Sequence, residues 1–470
     1  MLSKKSLKTN FIMNAVLTAS SFIFPLITFP YVSRILLPVG MGKITLTTSI
    51  AAYFSMAAML GIPTYGIRAC SRVRDNSIEL SRTVHEIFFI NFIMTVFVYT
   101  IFFICLFKIP QFKQEKLLYI ICSSSILFNL LGMEWLYKAL EEYQYITTRS
   151  ILFKFLSVVL MFALVHNQKD YVIYGAITIF ASVGSNFVNF INVRKYIKFG
   201  YIGPYNFTQH LKPIFTFFAL TVTTTIYTNM DIIMLGFMKG NLEVGYYNSA
   251  IKIKAILVTL VTSLSTVLLP RVSYYVEKNL KKEIMVLTEK ALQFVILISL
   301  PLCVYFSFMA EKSILLLSGT AFLGSVQPMQ IIMPTIIFIG ITNIIGIQLL
   351  VPHGKEHLVL YSTCVGALVD IILNVLLIPQ LGASGAAIGT LIAEFVVLMI
   401  QLFFIRNDFS QVSKNLQLYK ILFSSLTASF IMIFIRNINT GSIFIDLLLT
   451  SSVFFGVYIL FIALILHYKL

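Results

Sequence analysis

The chain has 470 residues, of which 58% are hydrophobic and only 11% charged, with a formal net charge of +16. A mean hydropathy of +0.89 leaves too little charge to cover a water-soluble protein of this size. No basic stretch forms a folded module, so the positive balance points to loops beside anionic lipid and away from nucleic acid.

Apolar stretches of bilayer length follow one another along the chain, separated by short polar loops. Phe11–Leu37, Phe88–Phe107, Tyr171–Ile191 and Phe444–Leu466 each hold roughly 20 mostly apolar positions, enough for an α-helix to cross about 30 Å of hydrocarbon. The pattern predicts an all-α polytopic membrane protein with about 14 transmembrane helices. Their centres fall near Ser21, Ser55, Val96, Ile126, Val159, Phe180, Ile226, Leu260, Leu297, Ile341, Val369, Glu394, Phe430 and Phe455. The first apolar run is too long for a cleavable signal, and no small-residue cleavage site precedes a polar domain. No outer loop is long enough for separate chemistry; the longest is read at Glu311–Gln327.

An even number of spans puts both termini on one side, and Lys/Arg placement chooses it. With the termini in the cytoplasm, roughly 24 of the 35 Lys and Arg residues lie inside. Lys4–Lys8, Arg68–Arg82, Arg194–Lys212 and Arg271–Lys290 then all face the cytoplasm, and Lys108–Lys116 is the exception.

The chain repeats itself at an offset of roughly 200 to 215 residues. Gly42 and Gly245 open the second and eighth spans alike. Leu60-Gly-Ile-Pro63 and Val267-Leu-Leu-Pro270 close them before basic loops. Gly132 with Glu134 is matched by Gly346 with Gln348. This divides the chain into an N-lobe at 1–195 (spans 1–6), a cytoplasmic linker at 196–213, a C-lobe at 214–406 (spans 7–12), and spans 13–14 at 407–470. Two like-oriented six-helix lobes suggest a transporter that rocks around a central cavity.

Ionisable groups in mid-span cost about 2.5 to 3.5 kcal/mol each on insertion scales, so they face a cavity or a partner. Asp231, Lys252, Lys254, Asp370 and Glu394 are such groups, with Arg34 and Glu134 nearer span ends. Lys252 and Lys254 lie about 200° apart around a helix and cannot both face one cavity squarely. Asn14, Thr18, Ser21, Pro25 and Thr28 line one face of span 1, and Thr390 stands one turn from Glu394 in span 12. Stripes of this kind either line a cavity or hold helices together. The bland reading of the ionisable groups is a structural ion pair, such as Asp231 with a neighbouring lysine. Gly385-Ala-Ala-Ile-Gly389 reads as a packing face.

Neither a metal nor a cofactor is expected. The five cysteines are scattered without a CxxC pair, and no P-loop, HExxH or GxSxG is present. His353-Gly-Lys-Glu-His357 has a ligand-like spacing, but its glycine and loop position argue against a metal site.

Several segments resemble one family. Phe29-Pro-Tyr-Val-Ser-Arg-Ile-Leu, then Pro38 and Gly40-Met-Gly42, is similar to the first-span signature of the bacterial polysaccharide repeat-unit (O-antigen and capsule) flippases. These belong to the multidrug/oligosaccharidyl-lipid/polysaccharide exporter superfamily. Gly61-Ile-Pro-Thr-Tyr-Gly-Ile-Arg68, Glu134-Trp-Leu-Tyr and Glu141-Glu-Tyr143 match further segments. Tyr227-Thr-Asn-Met-Asp231-Ile-Ile-Met-Leu-Gly236, with Glu243-Val-Gly-Tyr-Tyr-Asn248, matches best. Asp370-Ile-Ile-Leu-Asn374, then Pro379-Gln-Leu-Gly382-Ala-Ser-Gly385, is shared more widely across the superfamily.

The resemblance implies two six-helix lobes plus two helices, in the bacterial cytoplasmic membrane. It implies no enzymatic activity, but movement of undecaprenyl-diphosphate-linked oligosaccharides from the inner to the outer leaflet. It also implies a setting beside a polysaccharide polymerase and a chain-length regulator. Arg34, Lys252 and Lys254, with the motif tyrosines Tyr31 and Tyr227, are then the candidate cargo contacts. Asp231, Asp370 and Glu394 are the candidate cavity or cation-coupling acids. These acids offset the lysines, which weakens a purely electrostatic account of cargo capture. Two other classes stay open: a cation-coupled multidrug exporter of the same fold, and a membrane polysaccharide polymerase.

Overall fold

The computed structural model describes residues 7–406 and 417–466, and every regular element among them is helical. The basic segment Lys4–Lys8 lies partly outside these residues, as does the start of the segment 407–470.

The first helix, α1, runs over Leu7–Met59 and holds the first two expected spans without an intervening loop. It breaks at Leu37, where φ is 57° and ψ 175°. Pro38 explains the break: its ring disfavours a helical residue before it and removes a backbone donor. The chain continues through α2 (Ile62–Val73), α3 (Ser77–Lys108), the short α4 (Pro110–Gln114), α5 (Lys116–Gly132), α6 (Glu134–Ala139), α7 (Tyr143–Leu164), α8 (Tyr171–Ile179) and α9 (Asn186–Asn192). Then come α10 (Thr208–Met238), α11 (Asn241–Glu277), α12 (Lys281–Phe308), α13 (Ala310–Leu317), α14 (Val326–Ile332), α15 (Thr335–Asn343), α16 (Glu356–Leu381), α17 (Ala383–Phe404), α18 (Leu418–Ile435) and α19 (Ile443–Leu466).

Among the described residues, eleven helices are long and apolar enough to cross a membrane, or twelve when the pair bent by 47° at residues 333–334 forms one span. The first of them covers 62 residues across the Leu37 break and so holds two crossings. The 37-residue α11, which contains Lys252 and Lys254, stands where the eighth span is expected. The fold is thus the all-α polytopic membrane architecture read from the hydropathy. One segment differs: Glu311–Gln327, read as a loop, is mostly α13 and a 3₁₀ stretch at Thr320–Ser325.

The chain packs as two compact units, Met1–Asn229 and Met230–Leu470. The division falls inside α10, beyond the loop at 196–213. In the first unit, α2, α3 and α6 enclose a core of Ile62, Cys70, Val84, Ile87, Trp135 and Leu136, joined by Ile214 of α10. Breaks in its helices leave backbone carbonyls without intrahelical partners, which in an apolar setting must be satisfied internally. Asn91 donates to Ala58 O at 2.8 Å, and Asn189 to Gly132 O at 2.7 Å. In the second unit, α18 and α19 dock on α12 and α13. Tyr305 OH donates to Leu447 O, Tyr458 OH to Leu297 O, and Lys312 pairs with Asp446 at 3.0 Å.

Candidate functional site

Four helices of the second unit converge on Asp231. Its carboxylate accepts from Tyr247 OH at 2.5 Å and Thr390 Oγ1 at 2.8 Å on one oxygen, and from Asn374 Nδ2 at 2.7 Å on the other. The donors come from α11, α17 and α16. Asp370, one turn before Asn374, lies beside Asp231, and Glu394 and Lys254 are the next charges near it. Asp231, Asp370, Asn374, Thr390 and Glu394 are all buried. Among the described residues no lysine or arginine nitrogen comes within ion-pair distance of Asp231 or Asp370. The ion pair between Asp231 and a neighbouring lysine that the sequence leaves open therefore does not form.

Two buried oxygens in this cluster, Asp370 Oδ1 and Asn374 Oδ1, have no donor among the described residues. Both face Gly389 of α17. A Cβ there would stand 2.5 Å from Asn374 Oδ1 and 3.0 Å from Asp370 Oδ1. The glycine expected only to pack helices thus also keeps a small space open beside two unsatisfied acceptors. Two neighbouring carboxyls in an apolar setting cannot both stay bare, because each buried charge without a counterion costs several kcal/mol. The chemistry of the donor set, carboxylate, amide and hydroxyl oxygens, suits a proton or a small hard cation.

The surrounding motif is accounted for by the turn between α16 and α17. Gly382 sits there at φ 56°, and a Cβ on it would collide with the Glu243 carboxylate at 2.4 Å. That carboxylate accepts from Ala383 N at 2.7 Å and so caps the start of α17. Glu243 and Gly382 therefore hold α11 against the two helices that supply Asp370, Asn374 and Thr390.

The candidate cargo contacts lie on three helices, α1, α10 and α11. Arg34 is exposed and its guanidinium donates to Pro30 O one turn back. Tyr31 donates to Val165 O at 3.0 Å and packs on Phe162. Tyr227 is half-buried on α10, and Lys252 and Lys254 are half-buried on α11. Two cations of α7 in the first unit, outside the candidates read from the sequence, also enter polar networks. Buried Arg149 donates to Ser185 O and Asn186 Oδ1. Lys154 reaches Ser20 and Ser21 of α1, each at 2.9 Å. The polar stripe of span 1 is thus met by a lysine. The signal was present, since Lys154 interrupts an apolar run as plainly as Lys252 does.

A further buried cluster fixes the start of α10. Glu86 of α3 accepts from His210 Nε2 at 2.6 Å, Gln209 Nε2 at 3.1 Å and Asn206 N at 2.6 Å, while Tyr65 OH meets His210 Nδ1 at 2.7 Å. Its groups satisfy one another, which marks it as structural.

A family profile described as a polysaccharide biosynthesis protein matches residues 7–276, more than half of the chain. The chain belongs to this polysaccharide biosynthesis protein family. A second profile, MatE, matches residues 217–376. The family member is 25% identical over 415 residues to a candidate O-antigen transporter of Escherichia coli (strain K12), covering 86% of this chain and 98% of that one. A counterpart from Shigella dysenteriae is 23% identical over 84% of this chain and 99% of its own length. Its fold is similar to that of the lipid II flippase MurJ in an inward closed conformation, with a TM-score of 0.77 and 16% identity over 97% of this chain and 99% of that chain. It is also similar to a multidrug resistance MATE family transporter in its inward-facing conformation, with a TM-score of 0.62 and 13% identity over 88% and 97% of the two chains. The chain is thus a multi-pass membrane protein of the polysaccharide biosynthesis family, with a fold similar to those of MurJ and the MATE transporter.

Proposed function

We propose that this transporter moves undecaprenyl-diphosphate-linked oligosaccharide repeat units from the inner to the outer leaflet of the bacterial cytoplasmic membrane by alternating access. Its product would feed O-antigen, capsule or exopolysaccharide assembly. The observation that carries this reading is the likeness to O-antigen transporters over nearly their whole length. Arg34, Lys154, Lys252 and Lys254 supply donors for the diphosphate, with Tyr31 and Tyr227 as further contacts. The positive-inside bias supports cytoplasmic termini. Outward passage of about two negative charges gains about 2.3 kcal/mol per charge per 100 mV if they travel uncompensated. The Asp231–Asp370 pair supports a second drive: a proton or small cation binds there and couples its own gradient to the transport cycle.

The same acid pair also suits a cation-coupled drug exporter, so the test reads both activities. A strain deleted for this gene and complemented with it should regain surface polysaccharide, with drug susceptibility unchanged. Regained drug resistance without polysaccharide would replace the proposal with the exporter reading. Orientation is tested with an impermeant thiol reagent on intact cells, in a background lacking the five native cysteines. Lys239→Cys should be labelled and Lys198→Cys protected, and the reverse pattern overturns the topology.

A further inference from the structure

The turn between α11 and α12 bears a feature unrelated to the acid cluster. Arg271 and Tyr275 lie one turn apart on α11, and Lys282, Glu283, Val286, Leu287 and Lys290 share a face of α12. Together they line an open pocket of about 380 Å³. Three cations and one acid leave its rim with two net positive charges. Arg271 is oriented within it: its Nε donates to Tyr275 OH at 2.9 Å, and the guanidinium lies 5.6 Å from the centre of the Tyr275 ring. That hydrogen bond leaves the outer fork of the guanidinium to face a ligand. None of the three cations pairs with a described carboxylate. The wall between them is apolar, and Val286 is 51% exposed there.

A cationic rim over an apolar wall matches a phosphate ester that has a hydrocarbon tail better than it matches free phosphate. Beside the pocket, Tyr274 is 54% exposed, as aromatic residues are where headgroups meet acyl chains. We infer that this pocket binds the headgroup phosphate of an anionic phospholipid of the cytoplasmic leaflet. From the proposed function the inference takes only the orientation of this end of the molecule, and it does not depend on the cargo. Basic pockets between transmembrane helices at the cytoplasmic side are suited to such headgroups. The bound lipid would fasten the α11–α12 turn to the leaflet.

The test uses the full-length purified protein and native mass spectrometry of retained lipid after exchange into phosphatidylglycerol or phosphatidylcholine. Wild type should retain phosphatidylglycerol selectively. Arg271→Gln/Lys282→Gln/Lys290→Gln should bind it about a hundredfold more weakly. A control triple at exposed cations elsewhere, Lys108→Gln/Lys113→Gln/Lys169→Gln, should leave it unchanged. The single Lys290→Gln, at an exposed position, should show a partial loss and keeps the test valid if the triple does not fold. Unchanged retention in the pocket variants, or an equal loss in the control, overturns the inference. Displacement of phosphatidylglycerol by undecaprenyl diphosphate or by inorganic phosphate at lower concentration would also overturn it, assigning the pocket to the cargo or to a soluble anion. If both this selectivity and the polysaccharide phenotype are tested, a drug-export phenotype with intact lipid selectivity separates failure of the proposed function from failure of this inference.

Discussion

Two buried clusters, the Glu86 cluster of the first unit and the Asp231 cluster of the second, handle charge in different ways. In the first, Glu86 has His210, Gln209 and a backbone N–H, and Arg149 has a carbonyl and an amide oxygen. Both Glu86 oxygens have donors, and Arg149 has acceptors for its Nη1 group while its Nε has none among the described residues. In the second, Asp231 collects only neutral donors, while Asp370 beside it keeps an oxygen without one. A charge with a fitted partner stabilises one arrangement. On the proposed reading, the carboxyl pair takes up a proton or small cation, so its occupancy can differ between states.

This contrast predicts different consequences for similar substitutions. The largest should follow Asp231→Asn: the amide fills the same volume, so the protein should reach the membrane in normal amount. Transport should nevertheless fall about a hundredfold, the scale of losing one charged ligand. Gly389→Ala should act in the same direction, because its methyl enters the space beside Asp370 and Asn374. Surface polysaccharide from complemented deletion strains measures both, with immunoblotting for protein amount.

His210→Ala should instead act on the fold. It strips one partner from buried Glu86, which keeps two other donors, so the cost should be about 2 kcal/mol. Thermal unfolding in detergent would register it, and activity per folded molecule should stay near wild type. A loss of activity without a loss of stability would move this cluster from structure to mechanism.

Lys154→Gln sharpens the comparison from the other side. Its partners are two hydroxyls, so the fold needs little from its charge, and a diphosphate cargo would. Polysaccharide output should fall about tenfold with unchanged unfolding temperature. Arg34→Lys should cost about threefold, because a lysine keeps the charge but cannot hold two phosphate oxygens in a fork. The smallest effect should be that of Lys138→Ala, which removes a half-buried pair with Glu134 at 2.9 Å. Unfolding should shift by less than about 0.5 kcal/mol.

Hydropathy made the helical membrane fold legible because the bilayer requires long apolar runs whatever their tertiary partners. Asp231, Asp370 and Glu394 stood out for the same reason, as charges inside such runs. Their grouping was partly legible too, since Asp370 with Asn374 and Thr390 with Glu394 follow helical spacing. Tyr247 was not identified as a donor to Asp231, because an aromatic residue in a membrane helix is unremarked until its hydroxyl finds a partner. Gly389 looked like a packing residue, and only the orphan oxygens across from it reveal the space it keeps. The partners of Glu86 lie over 100 residues away, beyond the reach of any local pattern. Arg271 and Lys290 were legible as basic loop residues, but their pocket depends on how α11 and α12 turn their faces together.

The proposed coupling of a cation to transport rests on the Asp231–Asp370 pair. Proteoliposomes loaded with lipid-linked oligosaccharide test it directly, first under an imposed membrane potential and then under an imposed proton or sodium gradient. Wild type should respond to an ion gradient at zero potential, and Asp231→Asn should lose that response while remaining folded. If potential alone drives wild type, and Asp231→Asn and Glu394→Gln transport equally well, the pair couples nothing and the membrane field suffices.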